Sequence, residues 1–397
     1  MLTQQQKPFV AFACLILIVG LLAMDFINPS LPYIMQSLHT NEAGTKPLIV
    51  FYLLGLSLSQ FFYGTFSDNH GRKKTILLSY LISIIGVALS IMSHSIEMLY
   101  MARFINGVGN GGATVIARAI ISDVCTEPKA LKHGFAYFTI FGMISPTFGP
   151  IIGGWIQQYY GNWRLCFVAL FCVTIVSGVI IKLFMSETHS IPVVKTSILN
   201  QGKVYISLLK LRRFMVYNFA SAVIYVFSIA YYAYMPFILY KLHFSPVENG
   251  WIYGVYAVAL VLGSLSLAKY LNKFDSMAVF SGCCVVFILS AVLFYVYFYF
   301  TYSTIVLILF SIITAFTCGI AAPLNMSLCM QGFTPDRKGA ASSVQSFMKM
   351  FFTGIALLVF NFIPLHSMTS LLFCYIILAI IIIVLYLFDK HVIGGTD

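Results

Sequence analysis

Apolar runs of about twenty residues recur twelve times in this chain, at roughly 9–28, 46–66, 75–95, 98–120, 134–158, 163–185, 212–238, 248–270, 277–297, 301–328, 339–361 and 367–388. A helix rises 1.5 Å per residue, so a run of that length spans the hydrocarbon of a bilayer. Only 9% of the 397 residues are charged, against roughly 25% in a soluble globular domain. That leaves too little polar surface for a body dissolved in water. An all-α membrane protein of twelve transmembrane helices is therefore expected, with no soluble domain of useful size between the runs. The first run is long, carries Asp25 and leads into Pro29 and Pro32 instead of a small-residue cleavage site, so it is expected to be retained.

The net charge of +11 invites a nucleic-acid reading, which the placement of the charges rejects. With both termini set in the cytoplasm, seventeen of the 23 lysines and arginines fall on that side, including Arg72, Lys73, Lys74, Lys210, Arg212 and Arg213. The opposite side holds Lys46, Arg164 and Lys241, while Arg103, Arg118 and Lys349 lie within or at the ends of runs. This asymmetry is the positive-inside pattern that sets orientation. Of the nine cysteines, eight lie inside apolar runs and Cys125 falls in a segment on the cytoplasmic side. Neither disulfides nor a metal site is suggested, and no cofactor.

The acids are more selective still. Eleven of the twelve fall in or beside polar breaks, and Asp25 alone lies within an apolar run. A charge in hydrocarbon costs on the order of 3 kcal/mol, so Asp25 is the first candidate for a group that takes and releases a proton. Arg103, about 9 Å into the fourth run at 1.5 Å per residue, is placed at a similar depth. Two unpaired buried charges would each be costly, so direct or water-mediated pairing with Asp25 is expected, with snorkelling to the interface as the alternative. Lys349 sits roughly 15 Å along the eleventh run; it either faces an anionic group of a substrate or faces water in a cavity without a specific contact. Aromatic residues make up 16% of the chain. Most are expected in packing or facing lipid, while Tyr231, Tyr232 and Tyr52, with Asn28, are the candidates for contact with a flat, lipophilic or cationic molecule.

The longest polar stretch, from about Glu187 to Arg213, divides the runs six and six: an N-terminal bundle at 1–186, a cytoplasmic linker at 187–211 and a C-terminal bundle at 212–397. The halves echo each other where Leu31-Pro-Tyr-Ile-Met-Gln-Ser-Leu-His39 aligns with Met235-Pro-Phe-Ile-Leu-Tyr-Lys-Leu-His243. A duplicated six-helix unit is thus expected, the build of many secondary transporters.

Three motifs carry more. Between the second and third runs stands Gly64-Thr-Phe-Ser-Asp68-Asn-His-Gly71-Arg72-Lys-Lys; its glycines permit close helix ends and a tight turn, and Asp68 is placed to cap the next helix. The fourth run holds Arg103-x-x-x-Gly107-x-Gly109, and the fifth holds Gly142-x-x-x-x-x-x-Gly149-Pro150-x-x-Gly153-Gly154, dense enough in Gly and Pro for a kink and very close contact.

Together these resemble the major facilitator superfamily over essentially the whole chain. The resemblance implies a two-bundle fold, a charge latch of Asp68, Gly71 and Arg72, a link between Arg103 and proton coupling, and, from Gly149-Pro150-x-x-Gly153-Gly154, export by antiport. Ala322-Pro-Leu-Asn325, Pro335 to Ser343 and Asp25 to Pro32 are further similar to the Bcr/CflA group of drug:proton antiporters. Some multidrug relatives carry a second acid where this chain has Leu17, so coupling to more than one proton is not expected here. The expected function is proton-coupled efflux of small amphipathic molecules across a bacterial inner membrane, by a monomer without enzymatic activity, its partners being the small-molecule substrate, protons and the lipid bilayer, and not nucleic acid. A siderophore or metabolite exporter of the same fold is the alternative, and a proton symporter is the more distant one.

Overall fold

The structure is a computed structural model that describes residues 2–188, 206–301, 304–331, 333, 335–361, 371, 373–378, 380–381 and 384. The described chain is helical, and no strand occurs among the described residues. Its helices are α1 (Gln6–Asp25), α2 (Leu31–Ser37), α3 (Glu42–Thr45), α4 (Pro47–His70), α5 (Arg72–Ile91), α6 (Ile96–Val124), α7 (Pro128–Gly142), α8 (Ile144–Tyr160), α9 (Arg164–Phe184), α10 (Arg212–Lys241), α11 (Pro246–Lys269), α12 (Ser276–Thr301), α13 (Thr304–Met330) and α14 (Pro335–Asn361). Among the described residues, nine spans are long and apolar enough to cross a membrane. α6 is not among them because it carries Arg103, Arg118, Asn106 and Asn110 along its length. Most of the predicted linker and much of the twelfth run lie outside the described residues.

Prolines explain two breaks in these helices. Pro29 has no N–H to offer the carbonyl four residues back, which is that of Asp25, and α1 ends there. A single 3₁₀ turn at Asn28–Ser30 then leads into α2. In the same way Pro146 cannot bond the carbonyl of Gly142, where α7 stops before α8 begins at Ile144.

The described residues of Met1–Lys203 and His243–Trp251 form one compact unit, and those of Val204–Leu242 and Ile252–Asp397 form another. In the first, α6 is the central helix, packed along α4, α5 and α1. A Cβ on Gly107 would overlap the carbonyl of Tyr52, so α4 and α6 cross backbone to backbone. Ala13, Ile16, Ile76, Ile116, Ile120 and Ile181 fill the core shared by α1, α5, α6 and α9. In the second unit α10 is central, buried along most of Phe214 to Leu239 and packed against α13 and α14.

His39 and His243, which close the matched segments of the two halves, are the only non-glycine residues with positive φ among the described residues, at 49° and 63°. The sequence echo is therefore an echo of backbone geometry.

Candidate functional site

Asp25 is 6% exposed, and its Oδ2 accepts a hydrogen bond from Ser145 Oγ at 2.7 Å. It sits at the C-terminal end of α1, where the helix dipole disfavours an anion. Arg103 answers that end of the helix. Its Nη1 donates to the carbonyl of Ala23 at 2.8 Å and to Asn106 Oδ1 at 3.3 Å. The last carbonyls of a helix lack intrahelical partners, so a cation there acts as a cap. The guanidinium also lies 4.3 Å from the ring centroid of Tyr52, whose hydroxyl donates to the carbonyl of Gly20 at 3.0 Å.

Arg103 is fully buried, which removes the snorkelling alternative. Direct pairing with Asp25 is not observed either: among the described residues no ion pair joins them. The guanidinium instead gives Nη1 to the Ala23 carbonyl and its face to the Tyr52 ring, and Nε and Nη2 have no hydrogen-bond partner among the described residues.

α8 meets two segments through two rows of residues. Gly149 and Gly153 face the end of α1: a Cβ on Gly149 would lie 3.0 Å from Asp25 Cβ, and one on Gly153 would overlap the carbonyl of Phe26. Pro150 and Gly154 face the start of α11. A Cβ on Gly154 would overlap the carbonyl of Pro246, and one on Gly250 would come within 2.6 Å of the Pro150 carbonyl. Val247 N–H donates to Gln158 Oε1 at 3.3 Å, and Ser245 and Glu248 form a capping box, with Ser245 N–H on Glu248 Oε2 at 2.8 Å and Glu248 N–H on Ser245 Oγ at 3.2 Å.

The segment at Gly71 is a network about Arg72. Its Nε donates to Asp123 Oδ2 at 2.8 Å, and its Nη1 reaches Ser67 Oγ at 2.7 Å and the carboxylate of Asp68. Gly71 has φ of 92°, a region that favours glycine. Asp68 was expected to cap α5, but it lies in the last turn of α4. The cap is supplied by Glu187, whose carboxylate accepts from the N–H groups of Arg72 at 2.8 Å and Lys73 at 3.1 Å. Gly64 makes no close approach, since a Cβ there would meet nothing within 4 Å.

The expected cargo contacts are placed unevenly. Tyr231 is fully buried, stacked on Tyr256 at 4.0 Å and edge-on to Tyr253 at 5.5 Å; in this structure it is a packing residue. Tyr52 is spent under Arg103, and Asn28 is fully buried with both ends of its amide unpartnered among the described residues. None of these three offers a surface to cargo, because their helices turn them inward. Tyr232, 6% exposed, belongs to the same cluster as Tyr231, stacked on Tyr253 at 5.0 Å and edge-on to Tyr256 at 5.6 Å. Lys349 is partly buried on α14, its Nζ 4.8 Å from the ring centroid of Tyr225. Sequence reasoning missed Ser145, Asp123 and Glu187: the acids read as ordinary polar breaks, and a helical serine carries no signal by itself.

The sequence profile described as Major Facilitator Superfamily matches residues 13–357. "Multidrug resistance protein D" of Escherichia coli (strain K12) is 28% identical, over 50% of this chain and 50% of that protein. The "Bicyclomycin resistance protein homolog" of Haemophilus influenzae is 22% identical, over 68% of this chain and 69% of that protein. Thus the match spans only half the length of the first of these relatives. Among solved structures, the POT family transporter PepTSo superposes with a TM-score of 0.79 at 12% identity, covering 100% of both chains, which is a likeness of fold.

Proposed function

This chain belongs to the Major Facilitator Superfamily, and from that premise we propose that it is a proton-coupled antiporter of the multidrug type, exporting small amphipathic molecules across a bacterial inner membrane. The observation that carries the reading is Asp25, the one acid within an apolar run, buried at the end of α1 and held by Ser145 beside the Arg103 cap. The drug-resistance names of two relatives and the Gly149-Pro150-x-x-Gly153-Gly154 row support export.

In this reading Asp25 takes a proton when the protein opens outward and cargo leaves; it loses the proton when the protein opens inward and cargo binds. Each entering proton contributes about 2.3 kcal/mol per 100 mV of membrane potential. Arg103 holds the broken end of α1 in register, so that the carboxyl is presented to α8. Asp68, Gly71 and Arg72, together with Asp123 and Glu187, latch the cytoplasmic ends of α4, α5 and α6. Lys349 and Tyr232 are the cargo contacts; Tyr52, Tyr231 and Asn28 act behind them, by holding the helices that carry the contacts. The halves are 1–186 and 212–397, joined through 187–211, with both termini cytoplasmic. The protein works as a monomer, and it transports without chemical conversion of its cargo.

Lys349 over Tyr225 favours a second reading, in which the cargo is an anionic metabolite or chelate. Proton release from proteoliposomes on adding a panel of lipophilic cations, and separately a panel of anionic chelates, tests both. Release with cations supports the multidrug reading, release with anions alone moves the assignment to the second, and release with neither overturns proton-coupled export of either class.

A further inference from the structure

We infer that Ser145 is a positioning residue that couples the charge state of Asp25 to the contact between α8 and the segment Pro246–Gly250. The inference rests on the antiport reading above and adds to it the route by which a proton on α1 is felt elsewhere in the first unit.

Helical serines and threonines ordinarily bond back to a carbonyl of their own helix, as Thr139 does to Phe135 at 2.9 Å and Thr147 to Met143 at 2.7 Å. Ser145 is fully buried and instead crosses to another helix. Ser79, Ser83 and Ser264 also donate to a neighbouring helix, but to a carbonyl or amide oxygen, whereas Ser145 donates to a carboxylate. It lies in the first turn of α8, between the break at Met143 and Pro146, whose ring leaves the Gly142 carbonyl without its bond from that turn.

The bond to Asp25 depends on charge. A hydrogen bond to a carboxylate is about twice as strong as one to a neutral acceptor. When Asp25 takes a proton from water, one O–H bond forms on the carboxyl, Ser145 keeps its own hydrogen, and the interaction across to α8 weakens. The ionisable groups facing this stretch from the other packed elements are Arg103 of α6, on Ala23; Tyr52 of α4, on Gly20; and Cys166 of α9, which faces Ser30 and Gly153. None of these belongs to α8, so among the described residues Ser145 is the polar link between Asp25 and that helix.

α8 carries the consequence along its length. Nine residues beyond Ser145, about 14 Å along the helix, Gly154 abuts the Pro246 carbonyl, and Gly250 abuts that of Pro150. A close glycine contact tolerates little tilt. Releasing the first turn of α8 therefore loosens the contact at Pro246–Gly250.

The protein carries its own reporters. Of its three tryptophans, Trp155 and Trp251 flank the glycine contact and are 49% and 54% exposed. In full-length Trp163→Phe protein in lipid nanodiscs without cargo, emission is recorded between pH 5 and pH 8. A pH-dependent change is expected, abolished by Asp25→Asn and retained in Ser145→Thr, which keeps the hydroxyl donor. In Ser145→Ala its equilibrium constant is expected to fall about tenfold, the equivalent of 1.4 kcal/mol. Ser145→Cys, a weaker donor, replaces the alanine variant if that one does not fold, and is expected to lower the response in the same direction. An unaltered response in the alanine or cysteine variant, with Asp25→Asn flat, overturns the role of Ser145 and leaves the antiport reading standing. No response in the parent protein overturns the coupling itself. A normal response in Asp25→Asn overturns the coupling and removes Asp25 from the proposed function as well.

Discussion

Arg103 holds the carbonyl of Ala23 at 2.8 Å, two residues before Asp25, and does not pair with Asp25 itself. The cation thus stabilises the end of the helix that presents the acid, and leaves the carboxyl to a neutral hydroxyl. Arg103→Lys keeps the charge but loses the planar group that lies over Tyr52. Stability in detergent is expected to fall by about 1–3 kcal/mol, and proton-driven transport with it. Tyr52→Leu, which removes the ring and leaves the arginine, is expected to lower stability in the same range. A thermal-shift series on the two variants checks both.

At the other end of α8, Gly154 and Gly250 each face a carbonyl of the opposing segment. Gly154→Ala and Gly250→Ala place a methyl at the same contact, and each is expected to cost about 1–3 kcal/mol by overpacking. Because the first substitution already separates the segments, the double variant should cost less than the sum. Additive losses would show that the two glycines act at separate contacts.

Around Arg72, the left-handed φ of Gly71 brings the N–H groups of Arg72 and Lys73 onto the carboxylate of Glu187. Gly71→Ala is expected to cost about 1–3 kcal/mol in backbone strain, with further loss because its Cβ would overlap the Glu187 carboxylate. Glu187→Ala is expected to cost about 1 kcal/mol as a lost cap. Combining them should add little, a result readable from thermal denaturation of the purified proteins.

For the tyrosine cluster the expectation separates stability from specificity. Tyr231→Phe preserves the stack on Tyr256 and is expected to leave the KM for any cargo within about twofold, since the ring is buried. Lys349→Gln removes the charge held over Tyr225. It should raise the KM for anionic cargo about tenfold, the worth of one charged contact, while sparing cations. Transport assays with one cargo of each charge decide it.

What the sequence disclosed follows from what is local in it. A lone acid in an apolar run marked Asp25, and prolines four residues after Asp25 and Gly142 sit where the two helices break. The match ending at His39 and His243 pointed to a duplicated unit, while the left-handed backbone that closes both segments is visible only in the fold. What stayed hidden depends on which faces meet. Ser145 becomes informative only once α8 lies against α1, and Glu187 only once the end of α9 returns to Gly71. The packing of Tyr231 on Tyr256 and of Tyr52 under Arg103 was hidden for the same reason: an aromatic side chain in an apolar helix reads alike whether it faces a neighbour or a cargo.

The central claim is that the proton which drives export binds Asp25. It is tested most directly by loading proteoliposomes with a lipophilic cation, imposing a pH gradient, and comparing wild type with Asp25→Asn. Gradient-driven efflux that disappears in the variant, while cargo exchange without a gradient persists, is the predicted result. Gradient-driven efflux unchanged in Asp25→Asn would contradict the account.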